Sequence, residues 1–95
     1  MYLCIDIGNS QVHCGVFAAT GELQVQFRHN TSHVGSSDQF AVFLLQVLRE
    51  NNIEPKSLCK VAIASVVPSV DYSVTAAFLK YFNLKPLFLQ PGVKT

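Results

Sequence analysis

Residues 3–15, LCIDIGNSQVHCG, decide how this chain folds. An apolar run from Met1 to Ile7 is broken by one acid, Asp6, and then turns sharply through Gly8, Asn9 and Ser10. A short run this apolar, rich in β-branched and large side chains, predicts a strand buried on both faces. Asp6 is the exception within it. A carboxylate buried without a partner is costly, so Asp6 is expected at the open end of the strand, facing water, a cation or backbone donors. Gly8 has no Cβ, tolerates positive φ and lets a ligand come close to the main chain. Asn9 and Ser10 add short donors beside the N–H groups of the turn, an arrangement that cradles phosphate oxygens. Asp6 is then placed to hold the magnesium of a nucleotide through water, because that ion keeps much of its hydration shell. A second reading of the same residues stays open: a hairpin in which Asp6 and Asn9 bond their own backbone as Asx turns and bind nothing.

The 95 residues allow one domain at most. A domain this short buries about two-thirds of the surface its unfolded chain exposes. Yet 49% of the residues are hydrophobic and only 14% charged, more apolar than an average soluble domain, so part of that surface is expected to meet other protein. No run reaches the length of a membrane span, and the amino terminus lacks the basic region of a signal peptide. A cytoplasmic protein without membrane attachment is expected. The net charge of +1 with scattered Lys and Arg marks no nucleic-acid surface. Cys4, Cys14 and Cys59 have no metal-ligand spacing and leave one thiol over in any pairing, so all three are read as reduced core residues.

Outward from the turn, Gln11–Ala18 predicts a second strand antiparallel to the first, since so short a loop cannot carry a parallel crossover. In residues 22–29, Leu23, Val25 and Phe27 alternate with Gln24, Gln26 and Arg28, the pattern of an edge strand with one wet face. Residues 30–36 read as a polar loop. Ser36 and Gln39 form a capping-box pattern ahead of Phe40, Phe43, Leu44, Val47 and Leu48 at helical spacing, which predicts a helix from Ser37 to Asn51 packed on the sheet. Lys60–Val67 is the second fully apolar strand, parallel to the first and beside the centre. Pro68 is expected to end it, with Ser69 as N-cap of a second helix that runs to Phe82 and stops on Asn83 in a left-handed conformation. Asp71 is read as an acid in that helix's first turn, favoured by the dipole. A final strand covers Pro86–Leu89, followed by a loop over Gln90–Thr95.

The fold class is therefore α/β, a mixed sheet of order β-β-β-α-β-α-β with right-handed crossovers. Ligands in such sheets lie beyond the carboxyl ends of the parallel strands. That rim carries Asp6 with its turn, Ser65–Pro68, and Gln90–Lys94. Ser65 reads either as a rim contact or as a small residue packed under the turn, and Lys94 either as a phosphate-neutralising cation or as a solvated lysine. His13, His29 and His33 fit no triad or metal spacing, although His13 lies close enough to the turn for phosphate contact.

DIGNS at Asp6–Ser10, ASVVP at Ala64–Pro68, KYF at Lys80–Phe82 and PGVKT at Pro91–Thr95 occur in the order and spacing of type III pantothenate kinases, which the chain resembles along its whole length. The resemblance implies the amino-terminal half of an actin-like ATPase fold, with its ribonuclease H-like sheet. It implies ATP-dependent phosphorylation of pantothenate, the first step towards coenzyme A. Asp6 would help hold Mg2+ or another divalent cation, and Asp6, Ile7, Gly8, Asn9, Ser10, Gln11, Val12 and His13 would line the ATP phosphates. The family also implies a homodimer and a monovalent cation, K+ or NH4+. Family members continue past the PGVKT segment to an aspartate acting as general base and to a second domain. The expectation is therefore that residues 1–95 form a truncated first domain with no catalytic base of its own, inactive alone. Two other functions are compatible with the same fold, a non-catalytic binding or transcription accessory protein and a self-associating fold unit.

Overall fold

The computed structural model describes residues 1–89. Five strands form one sheet, β1 (Tyr2–Ile7), β2 (Gln11–Phe17), β3 (Leu23–Asn30), β4 (Lys60–Ser65) and β5 (Leu87–Leu89), in the order β3-β2-β1-β4-β5. β1 lies in the centre, antiparallel to β2 and parallel to β4, and β4 is parallel to β5. The meander of three strands and the helical connections follow the expected order, and β3 is the edge. The expected loop after β3 contains a short 3-10 turn, Thr31–His33.

Helix α1 (Ser37–Glu50) begins where the sequence predicts. The Gln39 N–H donates to Ser36 Oγ at 3.2 Å and the Ser36 N–H donates to Gln39 Oε1 at 2.8 Å, which satisfies two of the donors a helix start leaves orphaned. Helix α2 (Pro68–Ala77) starts differently from expectation. Its N-cap is Val67, with extended φ of −128°, and Pro68 occupies the first helical position. That position suits proline, whose fixed φ is helical and whose missing N–H has no intrahelical role there. β4 correspondingly ends at Ser65 rather than Val67, because the Ser65 hydroxyl takes the Val67 N–H at 3.1 Å and bends the chain out of the strand. The last turn, Phe78–Phe82, widens to π type before Asn83 stops it at a φ of 54°, the left-handed end expected of that asparagine.

The expectation of two buried faces for β1 is corrected. Leu3, Ile5 and Ile7 are buried, whereas Cys4 and Asp6 are exposed. The period of two carries through the sheet, with Val12, Cys14 and Val16 of β2 and Val61 and Ile63 of β4 buried on the same side. Both helices cover that side through Phe40, Ala41, Leu44 and Leu48 of α1 and Val74 and Ala77 of α2, with Phe78 following. The opposite face carries Cys4, Asp6 and His13 without a covering element among the described residues.

The reading of the cysteines is corrected too, by the alternation for Cys4 and by the position of Cys59 ahead of β4. Only Cys14 is a core residue, its thiol pushed up by burial to about 12, while Cys4 and Cys59 are exposed. With the thiolate as the reactive form, a thiol reagent at neutral pH is expected to modify Cys4 and Cys59 in the native chain and Cys14 only after denaturant is added. Counting labelled thiols by mass spectrometry checks this. Native labelling of Cys14 would contradict the packing.

Candidate functional site

The site is built on the β1–β2 turn. The Gly8 N–H donates to the Gln11 carbonyl at 2.9 Å, closing a hairpin whose tip is Asn9 and Ser10, both exposed. Gly8 is not in the left-handed region. Its lack of a side chain matters through space instead, since a Cβ there would stand 3.3 Å from the Gln11 carbonyl oxygen, closer than most such contacts. Ile7 and Val12, paired across the hairpin, are fully buried, so what they can offer a ligand is main chain. Gln11 is half-buried and His13 exposed.

Asp6 is exposed and makes no ion pair among the described residues. Its neighbours in register are His13 on β2 and Ala64 on β4, so Asp6 and His13 share the uncovered face beside the turn. No three His, Cys, Asp or Glu side chains gather to hold a metal among the described residues. Among the described residues Asp6 is the carboxylate beside the turn, and magnesium, which keeps much of its water shell, would suit so sparse a protein ligand set. The exposed carboxylate beside a turn with free tips fits that role.

The second rim segment joins the first at Ser65. Ser65 pairs in register with Ile7, and the Val66 N–H donates to the Ile7 carbonyl at 3.1 Å. The Ser65 hydroxyl already accepts from Val67, which leaves its proton to donate. Asp71 lies in the first turn of α2 as expected, half-buried, with Oδ1 buried and unpartnered among the described residues. The third segment, with Lys94, lies outside the described residues.

His29 packs within the fold. His29 stacks on Phe43 with ring centroids 4.0 Å apart, and its Nε2 lies 3.1 Å from the His33 carbonyl oxygen. A carbonyl only accepts, so Nε2 carries the proton. A cluster that sequence reading missed joins the start of α1 to the turn that follows α2: Asp38 accepts from Lys80 Nζ at 2.8 Å and from the Tyr81 hydroxyl. The hydrogen bond from Lys80, then that from Tyr81, holds the Asp38 carboxyl below its ordinary range. All three groups are solvated, and this reads as a surface brace.

Comparison with known proteins sets this turn in a family. The sequence pattern of type III pantothenate kinases matches residues 2–95. The chain belongs to that family. It is 54% identical over 95 residues to a type III pantothenate kinase of Legionella pneumophila (strain Paris), covering 100% of this chain and 36% of the relative. Against the type III pantothenate kinase of Elusimicrobium minutum the identity is 38% over 95 residues, again 36% of that relative. The chain thus spans about a third of the length of the curated relatives it matches. Among solved structures, it resembles the Lmo2764 protein of Listeria monocytogenes, described as a candidate N-acetylmannosamine kinase, with a TM-score of 0.55 and 16% identity over 92% of this chain and 34% of that one. The Aquifex aeolicus member of the Ppx/GppA family gives 0.51 and 14% over 95% of this chain and 35% of that one. These neighbours bear on fold alone. They agree with the amino-terminal half of an actin-like ATPase fold, which is the architecture of this pantothenate kinase family member.

Proposed function

We propose that residues 1–95 form the amino-terminal ATPase-fold domain of a kinase that transfers the γ-phosphate of ATP to the primary hydroxyl of pantothenate. Membership of the type III pantothenate kinase family carries this reading, and the geometry of the β1–β2 turn supports it. The hydroxyl oxygen bonds to the γ-phosphorus as the bond to the ADP oxygen breaks, and the hydroxyl proton leaves to a base. Bound Mg-ATP supplies the phosphoryl group and a cation that neutralises its charge. This chain's share is binding and orientation. Asp6 holds the cation's water shell, the Asn9 and Ser10 side chains and the main chain from Ile7 to His13 face the phosphates, and the hairpin fixed by β1 keeps them in place. Catalysis of this kind is mostly positioning and charge stabilisation, which a turn on the central strand of a sheet suits. No residue of this chain is assigned as the base. Ser65 and Lys94 are rim contacts in this reading, a homodimer and a bound K+ or NH4+ complete the working enzyme, and the cytoplasm is its place. No helix among the described residues is long and apolar enough to cross a membrane.

The test is ADP release dependent on pantothenate, measured in a protein of the relatives' full length that carries this segment. Turnover requiring both pantothenate and a divalent cation is expected. ATP consumption indifferent to pantothenate, or none, would contradict the assignment.

A further inference from the structure

Thr31 is the one buried polar side chain among the described residues, 6% exposed at the start of the 3-10 turn after β3. Both of its donors go to the β1–β2 turn. The hydroxyl Oγ1 donates to the Gly8 carbonyl at 2.7 Å, and the backbone N–H donates to the Ser10 carbonyl at 3.0 Å. The carbonyls of Gly8 and Ser10, on either side of Asn9, are therefore tied to one residue just beyond the end of β3. Thr31 is itself anchored, since its carbonyl accepts from the N–H of Val34, which is fully buried in the core.

We propose that Thr31 is a positioning residue for the phosphate-binding turn, a role that rests on the phosphate reading of Gly8, Asn9 and Ser10 given above. A trans peptide sets its N–H opposite its C=O. Holding the Gly8 carbonyl inward on Thr31 consequently turns the Asn9 N–H outward, towards the space a phosphate would fill. Without the hydroxyl the Gly8–Asn9 peptide loses its fixed orientation, and the turn must be ordered again on each binding event. The β-branched side chain helps, because its χ1 has few accessible wells. Thr31 touches no ligand in this account and acts through Gly8 and Ser10.

The experiment uses the 95-residue chain, labelled with 15N, as wild type, Thr31→Val and Thr31→Ser. Valine keeps the shape and removes the donor, while serine restores it. In the wild type the Asn9 and Ser10 amides are expected to show order parameters near those of rigid backbone, about 0.85, falling towards about 0.6 in Thr31→Val. Mg-ATP affinity is expected to weaken about tenfold in Thr31→Val, the effect of one hydrogen bond. Thr31→Ser is expected to recover both readouts, which a role in packing alone would not give. Unchanged order at Asn9 in Thr31→Val, unchanged Mg-ATP affinity despite lost order, or a serine variant as impaired as valine would each overturn the proposal. Failure of the wild type to bind Mg-ATP would sink the phosphate reading by itself, and Asn9 order would still decide whether Thr31 holds the turn. If Thr31→Val does not fold, the wild-type hydroxyl proton decides. A slowly exchanging Thr31 signal supports the hold on Gly8, and one lost to rapid exchange contradicts it.

Discussion

Phe40→Ala is expected to lower the unfolding free energy by about 3–5 kcal/mol, the usual loss for a large aromatic truncated in a core. Phe40 is fully buried near the start of α1, and its ring meets Phe78 edge-on at 6.5 Å and lies 6.4 Å from His29 and 6.2 Å from Phe43. It is thus the point where α1, the end of α2 and the edge strand β3 meet. A cavity there separates three elements at once, so the site cannot collapse by moving one of them. A domain of this size holds only about 5–15 kcal/mol in total. Urea unfolding followed by far-UV circular dichroism checks the loss, and a change below about 1 kcal/mol would show that the helices do not depend on this contact.

Asp6→Asn is the second large effect, and it falls on binding rather than on folding. The carboxylate is exposed and unpaired among the described residues, so the amide replaces it at little cost to stability. Its loss removes the carboxylate that, among the described residues, stands beside the turn for a hydrated divalent cation. Hydrogen bonds to charged groups contribute about 1.5–3 kcal/mol, so Mg-ATP affinity is expected to fall about 10- to 100-fold. ATP without a divalent cation should discriminate much less between the two proteins. Equal Mg-ATP affinity in both would remove Asp6 from the cation's shell.

What could be read from sequence divides along the range of the interactions involved. The capping box of Ser36 and Gln39 and the left-handed Asn83 are satisfied by neighbours a few residues away, so local chemistry specified them. The β1–β2 hairpin was legible for the same reason. The two-sided burial expected for β1 failed because an apolar run does not say which faces receive helices, and both helices pack on the side of Leu3, Ile5 and Ile7. Cys4 went astray with it, while Cys59 lies exposed ahead of β4. Pro68 was read as a strand terminator when its rigid φ serves equally to begin α2. Within the site, Asp6 and the exposed tip at Asn9 and Ser10 were visible in the motif, whereas the hold of Thr31 on Gly8 spans 23 residues. A threonine opening the polar loop after an edge strand carries no sign of such a partner. Nor did spacing show that Asp38 would meet Lys80 and Tyr81, a contact made only when the two helices lie side by side.

The most direct test of the phosphate site is calorimetric titration of the 95-residue chain with Mg-ATP in potassium buffer, repeated on Gly8→Val. Valine places its side chain against the Gln11 carbonyl, where even a Cβ stands at 3.3 Å, so the turn has to shift to accept it. The account predicts saturable binding at one site in the wild type and none in Gly8→Val, with circular dichroism showing that the variant keeps its fold. Saturation of both proteins with the same affinity would place the nucleotide elsewhere, and a wild type that binds no Mg-ATP would contradict a phosphate site on the turn of this chain.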